Sequence, residues 1–252
     1  LKAIEDHKVS AICEYDKQNN ILIPIKKNYE AMGIFPLNLE QQFAFDLLLN
    51  DDIKIVTLVG QAGTGKTLIA LACGLNRVLA RRSNYEKLLV ARPVIPMGKD
   101  IGYLPGSKDQ KLNYWMQPIF DNLHFIMHSA NTKDGERNNS LLGIKDADYL
   151  LESNILEIEA LTYIRGRSIP NQFIIIDEVQ NLTPHEVKTI ISRAGEGTKI
   201  VLTGDPEQID NPYLDANSNG LSYVAERFKG QTITGNIFLS KSERSELATL
   251  AT

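Results

Sequence analysis

The chain has 252 residues, of which 43% are hydrophobic and 23% are charged, and its formal net charge is −4 at pH 7. This composition is typical of a folded globular protein, and it excludes a mostly disordered chain, a collagen-like repeat and a small disulfide scaffold. The global charge gives no support to a nucleic-acid partner, although a local basic stripe is sufficient to neutralise phosphates.

Cysteine usage and hydropathy indicate the compartment. Cys13 and Cys73 stand far apart and in no CxxC spacing, which is typical of a reduced, cytoplasmic protein. The apolar runs are too short for a transmembrane helix, so we expect no membrane partner. Because the first residue is Leu1 rather than Met, we expect the natural protein to be longer.

The N-terminal segment differs in character from the rest of the chain. Two runs rich in apolar and β-branched residues, 9–15 and 21–25, surround an Asn-Asn turn, and Pro36 closes the segment. We therefore interpret residues 1–36 as an N-terminal hairpin or linker and residues 37–252 as one domain.

From residue 37 onwards, helical and strand patterns alternate. Helices are predicted at 39–49, 66–80, 113–128, 184–194, 218–228 and 243–250. Strands are predicted at 53–59, 87–91, 155–158, 172–176, 199–203 and 236–240. The polar stretch 129–140 predicts a loop. This alternation indicates an α/β fold with a mainly parallel sheet and helices on both faces.

Residues 60–67 read Gly-Gln-Ala-Gly-Thr-Gly-Lys-Thr and match the phosphate-binding P-loop, in the required context between a strand and a helix. Glycines let backbone N–H groups face phosphates, and the following helix points its positive end at them. We expect Lys66 at the β- and γ-phosphates and the Thr67 hydroxyl on Mg²⁺; the alternative is a Gly-rich turn without a ligand. The residues expected to contact the nucleotide are Gly60, Gln61, Ala62, Gly63, Thr64, Gly65, Lys66, Thr67 and Leu68.

A second motif is an apolar run, 173–176, that ends in Asp177 and Glu178. Asp177 is suited to hold Mg²⁺ through water, and Glu178 is suited to orient and deprotonate an attacking water. In isolation the pattern fits a helix N-cap with a solvated acid equally well. The upstream P-loop favours the catalytic interpretation.

A third motif, Thr-Gly-Asp-Pro-Glu-Gln at 203–208, follows another predicted strand. Gln208 is placed to contact the γ-phosphate or the attacking water, and Asp205 is placed to shape the loop. The alternative is a Pro-containing turn, because Gly, Asp and Pro all favour turns.

Together the three motifs resemble the core of superfamily 1 helicases and, more closely, the PhoH-like ATPases. Supporting stretches lie at 91–98, 101–106, 163–167, 180–183 and 242–248. The resemblance runs from roughly residue 34 to the end of the chain. It implies a RecA-like P-loop ATPase that binds ATP and Mg²⁺, with the P-loop strand lying centrally beside the strand that ends at Asp177.

The resemblance also implies roles for residues outside these motifs. It suggests that Gln41 hydrogen-bonds the adenine base, the alternative being an exposed polar helix start. It suggests Arg244 as an arginine finger, which would act across a subunit interface in a homo-oligomeric ring because one chain carries one RecA-like lobe. The alternative for Arg244 is a solvated arginine. Arg92, Arg165 and Arg167 are candidates for an RNA path or an interface, the alternative being surface salt bridges.

The expected activity is Mg²⁺-dependent ATP hydrolysis coupled to moving or unwinding single-stranded RNA. The N-terminal segment resembles the linker of PIN–PhoH proteins, which implies a PIN-type ribonuclease domain in the full-length protein. Two alternatives stay open: an ATP-dependent switch or scaffold with slow turnover, and a P-loop small-molecule kinase. Glu178 and Gln208 favour hydrolysis over transfer to a second substrate.

Overall fold

The computed structural model describes residues 2–6, 9–16, 19–26, 28–94, 108–134, 146–164 and 166–243. The strands are β1 (Lys2–Asp6), β2 (Val9–Asp16), β3 (Ile21–Pro24), β4 (Ile55–Gly60), β5 (Lys87–Arg92), β6 (Leu156–Ala160), β7 (Gln172–Ile176), β8 (Lys199–Gly204) and β9 (Thr234–Leu239). The helices are α1 (Leu39–Leu49), α2 (Lys66–Val78), α3 (Lys108–Asp134), α4 (Ala147–Glu152), α5 (Pro184–Ile191) and α6 (Gly220–Arg227).

Six strands form one parallel sheet in the order β6-β5-β7-β8-β4-β9, which confirms the expected α/β architecture. The expectation that the P-loop strand lies beside the strand ending at Asp177 is wrong, because β8 lies between β4 and β7. Ile200 of β8 is opposite Ile55 on one side and Ile174 on the other. All six residues of β8 are buried, which is typical of an interior strand covered on both faces.

Helices cover both faces of the sheet, and the side chains of β7 alternate between them. Phe173 and Ile175 pack into the half of the core that α1 to α4 complete. Ile174 and Ile176 pack into the other half, under α5 and α6. The apolar run of β7 therefore reflects burial on two sides rather than one.

The N-terminal segment forms a three-stranded antiparallel sheet in the order β1-β2-β3. The predicted hairpin is confirmed, with Asp16 opposite Ile21 beside the turn. β1 was not predicted, because its five residues include two acids and a lysine and its strand conformation depends on pairing with β2. Tyr29, Ala31 and Ile34 are buried in the same half of the hydrophobic core as α1 and α2. The division of the chain into a segment 1–36 and a domain 37–252 stays a prediction.

Two stretches between β5 and β6 differ from expectation. Residues 129–134, predicted as part of a loop, continue α3, and residues 135–140 of that loop lie outside the described part of the chain. The six-residue helix α4 was not predicted, since it is shorter than a reliable periodic signal and depends on Asp146 accepting from the Tyr149 N–H. Apart from Glu243, the predicted last helix at 243–250 also falls outside the described residues. Across the described ranges, no helix is both long and apolar enough to cross a membrane.

A fully buried lysine at the start of β8 joins α1 to the sheet. The Lys199 Nζ donates to the carbonyls of Leu47, Leu48 and Asn50 at 2.7, 2.8 and 2.7 Å. Burial lowers the pKa of the Lys199 ammonium group to about 7, and the charge of Asp51 opposes that shift. The carbonyls at the end of α1 thereby obtain donors that the helix itself does not supply.

We predict that Lys199→Met lowers the free energy of unfolding by about 2–4 kcal/mol. The three carbonyls would lose the Lys199 ammonium donor, and water does not readily replace it because this side chain is buried. Urea denaturation at pH 7 measures the loss. Lys229→Met is the control; Lys229 is exposed after α6, and its replacement should change stability by less than about 0.5 kcal/mol. Equal losses in the two variants would contradict a capping role for Lys199.

Candidate functional site

The three predicted motifs meet at one edge of the parallel sheet. Parallel strands place their carboxyl ends together, so the loops after β4, β5, β7 and β8 are neighbours there. With α3 they enclose a cleft of about 340 Å³. The cleft is lined by Ala62, Gly63, Gly65, Lys66, Thr67, Leu68, Arg92, Pro118, Asn122, Asp177, Glu178, Gly204, Asp205 and Gln208.

The P-loop conformation depends on two glycines with left-handed backbone angles. Gly63 has φ of 83° and Gly65 has φ of 86°, values that residues with a Cβ rarely adopt. Between them Thr64 is buried, and its hydroxyl donates to the carbonyl of Gln61 at 2.9 Å. The loop therefore wraps around the start of α2 as the sequence pattern predicts.

Hydrogen bonds from two distant segments brace the P-loop from outside. The Gln41 Nε2 donates to the Thr64 carbonyl at 3.2 Å, and its Oε1 accepts from the Leu37 N–H at 2.8 Å. The backbone N–H of Glu243 donates to the Gly63 carbonyl at 3.1 Å. Gln41 is thus buried against the loop, and its contact with adenine stays a prediction.

The Lys66 ammonium group lies over the loop at the cleft wall. Its Nζ donates to the carbonyls of Gly60 at 2.6 Å and Gln61 at 2.7 Å. Phosphate oxygens carry charge and bind an ammonium group more strongly than neutral carbonyls do. The first residues of α2, Lys66, Thr67 and Leu68, line the cleft, and the backbone N–H groups at this end of a helix have no acceptor within the helix. This part of the cleft is suited to an anion.

Asp177 occupies the end of β7, where its carboxylate is almost fully buried. Its Oδ1 accepts from the hydroxyl of Thr67 at 3.0 Å and also from the hydroxyl of Thr203. Burial raises the pKa of the Asp177 carboxyl, the charge of Glu178 raises it further, and the Thr203 hydrogen bond and the Arg92 charge oppose the shift. The hydrogen bond from Thr67 therefore joins the start of α2 to the end of β7, although β8 lies between β7 and the P-loop strand β4.

The donor set around Asp177 fits a magnesium ion. The Thr67 hydroxyl and the Asp177 carboxylate are hard oxygen ligands within hydrogen-bond distance of each other. Nearby, the Oδ2 of Asp205 is buried and has no hydrogen-bond partner in the described part of the chain. A buried carboxylate oxygen without a donor suits a metal-bound water.

Glu178 follows Asp177 in a strained backbone conformation. Its φ is 57°, which is unusual for a residue with a side chain and is typical of functional sites. The Oε1 accepts from the Arg92 Nη2 at 2.8 Å, and the Oε2 accepts from the Gln180 side chain. The carboxylate therefore lies on the cleft wall, held by two donors.

Gln180 is a fully buried amide that connects two of the motifs. Besides Glu178, its Nε2 donates to the Gln208 carbonyl at 2.9 Å, and its Oε1 accepts from the Asp205 N–H at 3.1 Å. A Cβ at position 204 would meet that Oε1 at 2.3 Å, so Gly204 is needed for the close approach. The loop carrying Gln208 is thereby fixed relative to Glu178.

The predicted arginines are in different places. Arg92 lines the cleft. Arg167 instead pairs with Glu157 at 3.5 Å and Glu159 at 3.1 Å, on the edge strand β6. Arg165 and Arg244 lie outside the described residues. The roles of these four arginines in RNA binding or at a subunit interface stay predictions.

Sequence reasoning missed two kinds of residue in the cleft. Pro118 and Asn122 of α3 line it, and no local signal marks them, because only packing brings α3 to the sheet edge. Gln180 was part of a recognised motif, but no role was assigned to it. A glutamine two residues after Glu178, together with the Gly-Asp pair at 204–205, is a signal from which this link could have been predicted.

Comparison with known proteins gives a consistent family. A family model described as PhoH-like protein matches residues 33–250. Protein PhoH2 of Bacillus subtilis (strain 168) is 57% identical over 243 residues, which are 96% of this chain and 52% of that protein. Protein PhoH2 of Mycolicibacterium smegmatis is 38% identical over 229 residues, which are 90% of this chain and 48% of that protein. The chain thus spans about half the length of these curated relatives.

Among solved structures, Pif1 from a Bacteroides species in complex with ADP-AlF4 aligns over 86% of this chain and 45% of its own, with 17% identity and a TM-score of 0.38.

We predict that Gln180→Glu lowers the free energy of unfolding by about 2–4 kcal/mol, because a further buried carboxylate replaces the donor that Glu178 and the Gln208 carbonyl use. Chemical denaturation measures the change. The matched control is Gln231→Glu on the surface, with an expected effect below about 0.5 kcal/mol. A Gln180→Glu protein as stable as the control would show that this amide is not needed to join the motifs.

Proposed function

This chain belongs to the PhoH-like protein family of P-loop NTPases. We propose that it hydrolyses ATP in a Mg²⁺-dependent reaction and couples the hydrolysis to moving or unwinding single-stranded RNA. One observation carries the proposal. The Thr67 hydroxyl at the start of the P-loop helix lies 3.0 Å from the Asp177 carboxylate, with Lys66 and Glu178 in the same cleft. Phosphate-binding, metal-binding and base groups thus converge on one space.

The P-loop side of the cleft binds the triphosphate. The loop N–H groups and the Lys66 ammonium group hold the β- and γ-phosphates. When bound, Mg²⁺ neutralises charge on these phosphates, and the Thr67 hydroxyl and the Asp177 carboxylate would hold it. We propose that Gln41 contacts the adenine, since each end of its amide makes one hydrogen bond and keeps capacity for a second.

Glu178 is the general base. It orients a water and accepts its proton as the water oxygen bonds to the γ-phosphorus. The bond from the γ-phosphorus to the bridging oxygen breaks, and ADP leaves with that electron pair. The proton then passes from Glu178 to solvent, so the products are ADP, inorganic phosphate and one proton. Gln208 contacts the γ-phosphate or the water from the opposite loop.

The coupling to RNA, the assembly and the whole protein's role are parts of the same proposal. We propose a homo-oligomeric ring in the cytoplasm, in which Arg244 reaches the neighbouring subunit's nucleotide and Arg165 and Arg167 contact RNA or the interface. The PhoH2 relatives are about twice as long as the matched segment. The resemblance suggests a PIN-type ribonuclease domain in the rest of such a protein.

A nucleotide-dependent switch with slow turnover is the second candidate. The ion pair between Glu178 and Arg92 at 2.8 Å favours it, because a paired carboxylate is less available to a water. An enzyme that moves or unwinds RNA and a nucleotide-dependent switch would use the same nucleotide site. They differ in the rate of ATP turnover and in whether RNA stimulates that rate.

Steady-state ATP hydrolysis with Mg²⁺, with and without single-stranded RNA, tests the proposal. We expect hydrolysis that RNA stimulates, with stimulation declining as salt rises because phosphate contacts release counterions. Glu178→Gln should lower kcat by about 10²–10⁴-fold through loss of the base. Lys66→Ala should abolish hydrolysis by removing the phosphate contact. Lys229→Ala and Glu226→Gln, exposed and outside the cleft, should leave the rate unchanged.

Each result has a defined meaning. Hydrolysis that is indifferent to RNA and slow would favour the switch. Stimulation by single-stranded DNA but not by RNA of the same sequence would contradict the RNA assignment. Phosphate release that persists in both Lys66→Ala and Glu178→Gln would contradict the site itself.

A further inference from the structure

Arg92 lies in the cleft, where its guanidinium group faces two carboxylates and a backbone carbonyl. It is the last residue of β5, and its side chain is only 18% exposed. Its Nη2 donates to the Glu178 Oε1 at 2.8 Å, its Nη1 donates to the Trp115 carbonyl at 3.2 Å, and its Nε lies 3.8 Å from the Asp177 Oδ2. A path for RNA along the surface would need a more exposed guanidinium group.

The charges around the cleft change when a triphosphate enters. Before that, Arg92 faces two carboxylates, and Lys66 lies on the P-loop side of the same cleft. A γ-phosphate would bring further negative charge next to Glu178. The Arg92 guanidinium group would then have two anions to neutralise, the carboxylate and the phosphate. The planar fork of arginine matches phosphate oxygens in two-point contact better than an ammonium group does.

We propose that Arg92 is a catalytic arginine supplied within the chain, whose guanidinium group leaves the Glu178 carboxylate and takes the γ-phosphate of bound ATP. The inference rests on the proposed ATPase function and deepens it. The same movement has two effects: it stabilises charge on the transferring phosphoryl group, and it releases Glu178 to orient the water. ADP, which lacks the γ-phosphate, leaves the ion pair intact.

A purely structural Arg92 predicts something different. In that case the ion pair and the contact with the Trp115 carbonyl hold β5, β7 and α3 together, and the affinities for diphosphate and triphosphate fall equally when it is replaced. Discrimination between the two nucleotides therefore separates the roles, whereas activity alone does not.

The test is equilibrium binding of ADP and of a non-hydrolysable ATP analogue, AMP-PNP, both with Mg²⁺, to the full chain and to Arg92→Lys. We expect the analogue to bind Arg92→Lys at least about tenfold more weakly, ADP to bind within about twofold of the original chain, and kcat for ATP to fall about 10³-fold or more. Arg92→Gln, which removes the charge and keeps a polar side chain, should show the same selective loss.

Arg77→Lys is the matched control. Arg77 is also a partly buried arginine paired with an acid, Asp51, through Nε at 3.1 Å, but it lies at the far end of α2. Its replacement should leave the ratio of the two affinities unchanged. Equal loss of ADP and analogue binding in both Arg92 variants, or no loss, would overturn the inference while leaving the ATPase proposal standing. Failure of the original chain to bind either nucleotide would overturn both.

Discussion

The site depends on the buried carboxylate of Asp177 at the end of β7. Removing this group from water is costly, and burial raises the pKa of its carboxyl accordingly. Hydroxyl donors from the start of α2, Thr67, and from β8, Thr203, offset the cost at one oxygen atom. Because one donor belongs to the P-loop helix and the other to the strand between β4 and β7, satisfying this carboxylate fixes three elements relative to one another.

The remaining connections extend outward from that point. The Gln180 amide ties Glu178 to the loop that carries Gln208, and Gln41 ties the P-loop to the start of α1. At that same end, the Asn38 Nδ2 donates to the Glu243 Oε1 at 2.9 Å. Residues that precede β4 and follow β9 are therefore joined to the nucleotide cleft by hydrogen bonds.

Most secondary-structure elements and the residue types of the candidate site could be predicted from the sequence. The contacts between distant residues of the site could not. Apolar, β-branched runs identified β4, β7 and β8, and the glycines identified the P-loop, because burial and positive φ constrain residue type locally. The ion pair of Arg92 with Glu178 and the position of β8 between β4 and β7 could not be inferred, since they depend on how strands 20 or more residues apart in sequence are arranged. The sequence left open whether Arg92 lines an RNA path, an interface or a salt bridge, and only the structure shows its ion pair with Glu178 at 2.8 Å.

Isothermal titration of AMP-PNP, with and without Mg²⁺, into the original chain and Asp177→Asn is the most direct measurement of the central claim. The account predicts one AMP-PNP bound per chain, with affinity that Mg²⁺ strengthens in the original chain and does not strengthen in Asp177→Asn. Binding that Mg²⁺ strengthens equally in both proteins would contradict the role of Asp177. Absence of AMP-PNP binding to the original chain would contradict the nucleotide site as a whole.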